Sequence, residues 1–345
     1  MKTRTRAAAI ACAGVGLLLV ACASLAPSVE PRRIRALRLS VPETHVCPGQ
    51  TIRATYAAVM DDGSTRALEG SALALLTRRG DAAEPAERGE WSSDPDPLVS
   101  AITGFHLSVW LTANPAVAAE TTVAPAYSCS PRRFTFVGTA RDRDGPEVTV
   151  RTARMRSPFQ DSLVVVVVEA PDSRPLHALF RQADLAPHTI RIESGGRAGN
   201  PGADGREARS TPECTDGEDG TDGQEGGRGG DGGQITVIGD VDHPWLQDLF
   251  ELASTGGAAG AGGMGGRGGP PGIRRPGPDG VLCPQPRGGR NGRRGANGLP
   301  GVGGPAPKRL DSSLSLMWFG SQSYEDPKTS KVLSAMLNYT LHPRP

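Results

Sequence analysis

From Ile34 onward, short runs alternate apolar and polar residues and are separated by clusters of Pro, Gly, Asp and Ser. IRALRLSV (34–41), TIRATYAAV (51–59), FHLSVWLTA (105–113) and ETTVAPAY (120–127) each show the period of two that predicts a half-buried β-strand. Short strands at this spacing are the pattern of a β-sandwich. RRFTFVGTARDRDGPEVTVRTARM (132–155) continues it, and the five consecutive valines Val164–Val168 predict a strand buried on both faces. A weak internal repeat follows, in which 167–183 resembles 237–253. Each copy reads as a strand, an Asp/Pro turn and a short helix, opened by Pro175 or Pro244 and carrying Leu179-Phe180 or Leu249-Phe250.

Beyond residue 195 this patterning gives way to glycine at every third position. The first array is Gly196–Gly205. The second holds Gly217, Gly220, Gly223, Gly226, Gly229 and Gly232, the third Gly257, Gly260, Gly263, Gly266, Gly269 and Gly272, and the fourth Gly289, Gly292, Gly295, Gly298, Gly301 and Gly304. Period three is the repeat of a polyproline-II-type helix, which has no internal hydrogen bonds. A side-chain-free stripe lets a second backbone approach, and the unpaired N–H and C=O groups then need partners on neighbouring segments. Three readings follow: a collagen triple helix, a disordered glycine-rich linker, and an intramolecular bundle of polyglycine-II helices. Short, proline-poor arrays broken by long interruptions argue against collagen. The bundle resembles the glycine-rich antifreeze proteins and the tips of some phage tail-fibre adhesins.

Charge favours the bundle. Glu213 to Asp231 holds seven acidic residues against the single Arg228, whereas Arg267 to Lys308 holds eight basic residues against the single Asp279. The expectation is an acidic second array neutralised by the later pair. Cysteine placement agrees. Cys47, Cys129, Cys214 and Cys283 allow three pairings, and the composition boundary near residue 195 disfavours the two that straddle it. That leaves Cys47–Cys129 and Cys214–Cys283. Arrays running up and down would place loops 206–216 and 273–288 at one end, where Cys214–Cys283 staples a body with little hydrophobic core. At the other end, 188–194, 234–241 and 312–320 are expected to pair as one small sheet roofed by the repeat's helices, with 329–342 adding a helix or a strand.

Across 345 residues the formal net charge is +1, so nothing at whole-chain level recruits nucleic acid. The 46 glycines and 30 prolines, with few aromatics, argue against one large conventional core. The N-terminus carries Lys2, Arg4 and Arg6 before a short apolar run ending Leu19-Val20-Ala21-Cys22, the pattern of a secretory signal. Leu-Val-Ala-Cys resembles the bacterial lipobox. The resemblance implies cleavage before Cys22, a lipidated Cys22 holding the chain at a membrane and, with Ala23 next, residence at the outer membrane of a Gram-negative cell.

RLSVPETHVCPGQTIRATYAAVMDDGST, followed by EWSSDPDPLVSAITG, resembles the bacterial Ig-like domains of the BIG2 type over about residues 33–128. The shared marks are the Pro48–Gln50 turn, the Asp62–Ser64 hairpin, and Trp91-Ser92-Ser93 followed by Val99 and Gly104.

Chemistry is sparse. Matches to G-x-G-x-x-G such as GAGGMG neither follow a strand nor open a helix. His45, His106, His177, His188, His243 and His342 are scattered, with no metal-ligand spacing. No nucleophile elbow is present. The expected fold is mainly β: a lipoprotein signal peptide (1–21), a lipid anchor and tether (22–32), an Ig-like sandwich (33–130), a β-rich connector with a β-turn-α unit (131–193), a glycine-triplet bundle with an inserted β-turn-α unit as cap (194–309), and a C-terminal strand or helix (310–345). The expected function is non-catalytic, without cofactor or metal. It is a lipid-anchored, monomeric surface protein with a structural, adhesive or polymer-binding role toward an envelope or extracellular glycan or protein. The alternatives are an accessory or catalytic lipoprotein acting on surface carbohydrates and a collagen-like trimeric fibre.

Overall fold

The computed structural model describes residues 29–209, 211–312 and 327–341. The lipobox and Cys22 lie outside the described residues, as do His342 and most of 312–320. No described helix is long and apolar enough to cross a membrane. The chain is mainly β, in several sheets.

The N-terminal lobe contains β1 (Ile34–Ser40), β2 (His45–Val46), β3 (Thr51–Ile52), β4 (Thr55–Met60), β5 (Thr65–Ala67), β6 (Leu76–Asp81), β7 (Ala83–Pro85), β8 (Trp91–Ser93), β9 (Phe105–Leu111) and β10 (Asn114–Pro125). They form sheets β1-β4-β5, β2-β10-β9-β6 and β3-β8-β7 around one core. The alternation read in the sequence is the alternation of burial. In β9, Phe105, Leu107, Val109 and Leu111 are buried, and His106, Ser108 and Trp110 lie between them at intermediate exposure. Trp91 is fully buried, and its indole N–H donates to the Tyr56 hydroxyl at 2.8 Å. Cys47 and Cys129 form a disulfide with Cα atoms 5.8 Å apart, tying β2 to the exit of the lobe.

A second lobe is built from β11 (Arg133–Val137), β12 (Val148–Ser157), β13 (Gln160–Glu169), β14 (Leu176–Arg181), β15 (Ile190–Gly195), β16 (Ile235–Asp240), β17 (Phe250–Thr255) and β18 (Lys308–Ser312). β11, β15 and β17 form a parallel three-stranded sheet, and the other five are ordered β14-β13-β12-β16-β18. Between the two sheets lie Phe134, Val150, Val164, Val166, Phe180, Ile192, Val237 and Phe250. The opposite face of β12–β14 buries Met155, Leu163, Val165, Val167 and Leu179 against Leu98, Tyr127, Leu333 and Met336. The valine run is therefore covered on both faces, because successive side chains point to opposite sides of a strand. Leu333 and Met336 belong to α1 (Pro327–Leu341), so the C-terminal segment left open between helix and strand is a helix.

Three local expectations are corrected. In the first repeat copy Leu179-Phe180 lies in strand β14, not in a helix, because Ala178, Leu179 and Phe180 feed the cores on alternate faces of the sheet. In the second copy the helix is a single 3-10 segment, Pro244–Leu249, and the chain becomes strand β17 at Phe250, pairing in parallel with β15 from Ile190 onward. The segments 188–194 and 234–241 do not share a sheet. They lie in opposite sheets of this lobe, so the glycine arrays stand on two facing layers rather than on one sheet with a helical roof.

Every array joins a strand directly. β15 runs into the first array, the second into β16, β17 into the third, and the fourth into β18. Since β15 pairs in parallel with β17, and β16 with β18, the arrays leave and return in matched pairs. The first donates to the third through Gly199 N to Ala258 O (2.8 Å), Gly202 N to Ala261 O (2.8 Å) and Gly205 N to Met264 O (2.7 Å). The second donates to the fourth through Gly220 N to Arg290 O and Gly223 N to Arg293 O, both 2.9 Å. Antiparallel ladders complete the set. Gly227 N bonds Asn200 O at 2.7 Å, Gly263 N bonds Gln224 O at 2.9 Å and Gly295 N bonds Gly263 O at 2.9 Å. The second and third arrays thus each touch three neighbours, and the first and fourth touch two.

Candidate binding surface

The contact between arrays explains the glycine stripe. A β-carbon at Gly226 would stand 2.0 Å from the carbonyl oxygen of Gly260, and one at Gly263 would stand 2.0 Å from that of Ala203. The triplet glycines of the second, third and fourth arrays nearly all face a neighbouring backbone in this way. Cys214 and Cys283 sit together at the far end, Cα atoms 5.8 Å apart, as the up-and-down path predicts. Beside this disulfide Arg275 pairs with Glu213 at 3.0 Å, and Ile273, Val281 and Leu282 are exposed.

Backbone N–H groups not used between glycines are met by short polar side chains of the adjacent array. Carboxylate Oδ1 atoms of Asp216, Asp219 and Asp222 accept from the N–H groups of Arg287, Arg290 and Arg293 at 2.5, 2.5 and 2.6 Å, and Asp231 accepts from Val302 at 2.8 Å. Asp204 likewise accepts from Met264 N at 2.7 Å, and Asn291 and Asn297 from Gly268 N and Gly262 N at 3.0 Å. This corrects the expected neutralisation of the acidic array by arginine side chains. Among the described residues no ion pair joins the second array to the fourth. The ion pairs made by residues of the arrays and their tip loops are Arg228–Asp231, within the second array, and Arg275–Glu213. A carboxylate one triplet apart from the next fits the spacing of backbone amides, and a charge-assisted bond to an amide needs no long side chain to be ordered.

Two glycine sets were not legible from the triplet count. Gly262, Gly265 and Gly268 form a second stripe on the third array, against the carbonyls of Gly295, Gly292 and Gly289. Gly230 and Gly233 free the base of the second array for loop 138–146. Arg143 O there accepts from Arg197 N at 2.7 Å, and Asp144 accepts from Asp231 N at 2.7 Å. The signal was present as Gly-Gly doublets, which mark segments needing clearance on two sides.

The histidines do not converge. His177 Nδ1 lies 2.8 Å from Asp96 and joins the two lobes, His243 lies 3.1 Å from Asp240, and His106 bonds Thr122 at 3.1 Å. Among the described residues no group of three or more His, Cys, Asp or Glu side chains gathers as a metal site would. Near the base of the arrays, hydrogen bonds from Thr135 and Arg191 hold the Glu193 carboxyl below its ordinary range. Burial pushes the Tyr127 phenol up to about 12, against the opposing hydrogen bond with Ser157. Compared with known proteins, the chain matches no family model and no curated protein.

Proposed function

We propose that the protein is a non-catalytic, lipid-anchored component of the outer membrane of a Gram-negative cell, in which an Ig-like stalk and a second β-lobe present a polyglycine-II bundle for binding an extended polymer. Cys22 is the lipidated residue of this reading, and the chain acts as a monomer. The observation that carries it is the five-way set of backbone ladders among the four arrays. A body made this way has flat edges with side chains repeating every third residue, and a repetitive ligand can meet such an edge in register. The same ladders satisfy the glycine backbones within one chain, which removes the need for the trimer of the collagen-like alternative.

Two experiments test the reading. Cys22→Ala should move the protein from the membrane fraction to the soluble fraction of the periplasm, and unchanged membrane association would refute the anchor. A glycan array probed with the full chain should show retention on linear polysaccharides. Retention no greater than that on array positions carrying no glycan would refute polymer binding by the bundle.

A further inference from the structure

A cleft of about 520 Å³ opens between the N-terminal lobe and α1, and no residue of the glycine arrays lines it. That volume suits a small organic molecule, and the junction of two packed units is a common place for such a site. The lobe supplies two walls. One is the corner between β6 and β7. Gly80 lets the chain fold back there, since a β-carbon would stand 2.2 Å from the Ala83 carbonyl oxygen, and Ala82 turns it with a φ of 58°. Asp81 and Glu84 flank this corner and are exposed on the cleft. The second wall is β8 with the loop that follows, held to the corner by a bond from Asp94 N to Ala82 O at 2.9 Å. It brings the half-buried Asp94, one of whose oxygens accepts from Asp96 N at 2.9 Å. Across the cleft α1 presents Lys331.

This lining is rich in acceptors and poor in donors. Three carboxylates face a single ammonium. Ser93 donates its hydroxyl proton to Gln50 O at 2.6 Å and Thr103 donates to Gly104 O at 3.2 Å, so neither keeps one for a ligand. The side chains of Asp81, Glu84 and Lys331 make no ion pair or hydrogen bond among the described residues. Between the charges the surface is apolar, from the half-buried Val99 and Ile102 of the lobe and Val332 and Ala335 of α1. An anion would be repelled by the carboxylate excess, and a neutral apolar molecule would gain nothing from it. An ammonium on an apolar body uses both parts of the surface.

We propose that this cleft binds an amphipathic organic amine, its protonated nitrogen held among Asp81, Glu84 and Asp94 and its hydrocarbon body laid on Val99, Ile102, Val332 and Ala335. The site is independent of the polymer-binding reading and survives its failure. It is tested by calorimetric titration of the full chain with 4-phenylbutylamine. The matched probes are 4-phenylbutanol, which lacks the charge, 4-phenylbutyrate, which reverses it, and methylamine, which lacks the body. Saturable binding of 4-phenylbutylamine is expected at neutral pH, where an alkylamine is protonated, and it should weaken as salt rises. The alcohol and methylamine should bind more weakly and the carboxylate not at all. D81N/E84Q should bind the amine at least about threefold more weakly, K331Q more tightly, and A335L, which fills the apolar floor, should abolish binding. D81N/E84Q changes only exposed side chains without partners among the described residues, so its thermal melting should match wild type, and it keeps the test decisive if A335L fails to fold. The proposal is overturned by absence of saturable amine binding, by binding of the alcohol or the carboxylate as tight as that of the amine, or by amine binding that D81N/E84Q leaves unchanged.

Discussion

At Gly226 a missing side chain determines whether two backbones can touch. Its amide bonds Ala296 O at 2.9 Å, while the place of a β-carbon is taken by the Gly260 carbonyl. Gly226→Ala and Gly263→Ala are therefore expected to destabilise by about 3 kcal/mol or more, since backbone atoms on both sides must move. Gly303→Ala is the control. Its nearest neighbour, Ser254 O, would lie 3.4 Å away, and the cost should stay within about 0.5 kcal/mol. Denaturant titration of the three variants decides between them. Glu193 gives a pH prediction with a fixed sign. Its folded-state carboxyl is held low by the bonds from Thr135 and Arg191, so its contribution is present above the unfolded-state value and is lost as pH falls through the folded one. Glu193→Gln should thus cost stability at neutral pH and progressively less as pH falls below the ordinary carboxylate range, as read from denaturation midpoints.

For single elements, the aspartate caps separate hydrogen bonding from charge. Asp222→Ala removes the acceptor of Arg293 N–H and should cost about 0.5–1.5 kcal/mol, with faster amide exchange at Arg293. Asp222→Asn keeps a side-chain carbonyl at the same place and should restore most of the protection. Failure of asparagine to do so would mean that charge, not the bond, holds the arrays together. The elements also show what could be read from the chain. Strands such as β9 were legible because one face is buried and the other is not. β14 and β17 were not, because LHALFR after Pro175 and FELAST after the segment opened by Pro244 are each only six residues long and give the same local signal as a short helix, and only pairing with other strands resolves it. The triplet glycines carried the array path and the place of the disulfide. They did not carry the destination of the acidic side chains, since a carboxylate near an arginine in sequence space gives no preference between its guanidinium and its amide.

For the whole molecule, the two facing sheets of the second lobe set the spacing and direction of all four arrays, and the Cys214–Cys283 bridge closes their far end. The bridge spans 69 residues of sequence and should contribute about 4 kcal/mol in the chain-entropy model. Cys214→Ser/Cys283→Ser is expected to loosen the distal loops first and leave the lobes folded. Limited proteolysis should then cut within 206–216 or 273–288 before any cut appears in 34–195. Earlier cleavage in the lobes would show that the arrays support the sheets rather than stand on them.

The account stands on backbone bonding among the arrays, and amide hydrogen exchange of the intact chain measures it most directly. Gly220, Gly223, Gly226, Gly260, Gly263, Gly266, Gly292, Gly295 and Gly298 each donate to a neighbouring array, so their amides should be protected as strongly as those of the sheet strands. Exchange of these glycines at the rate of an unfolded chain, with the strands still protected, would contradict it.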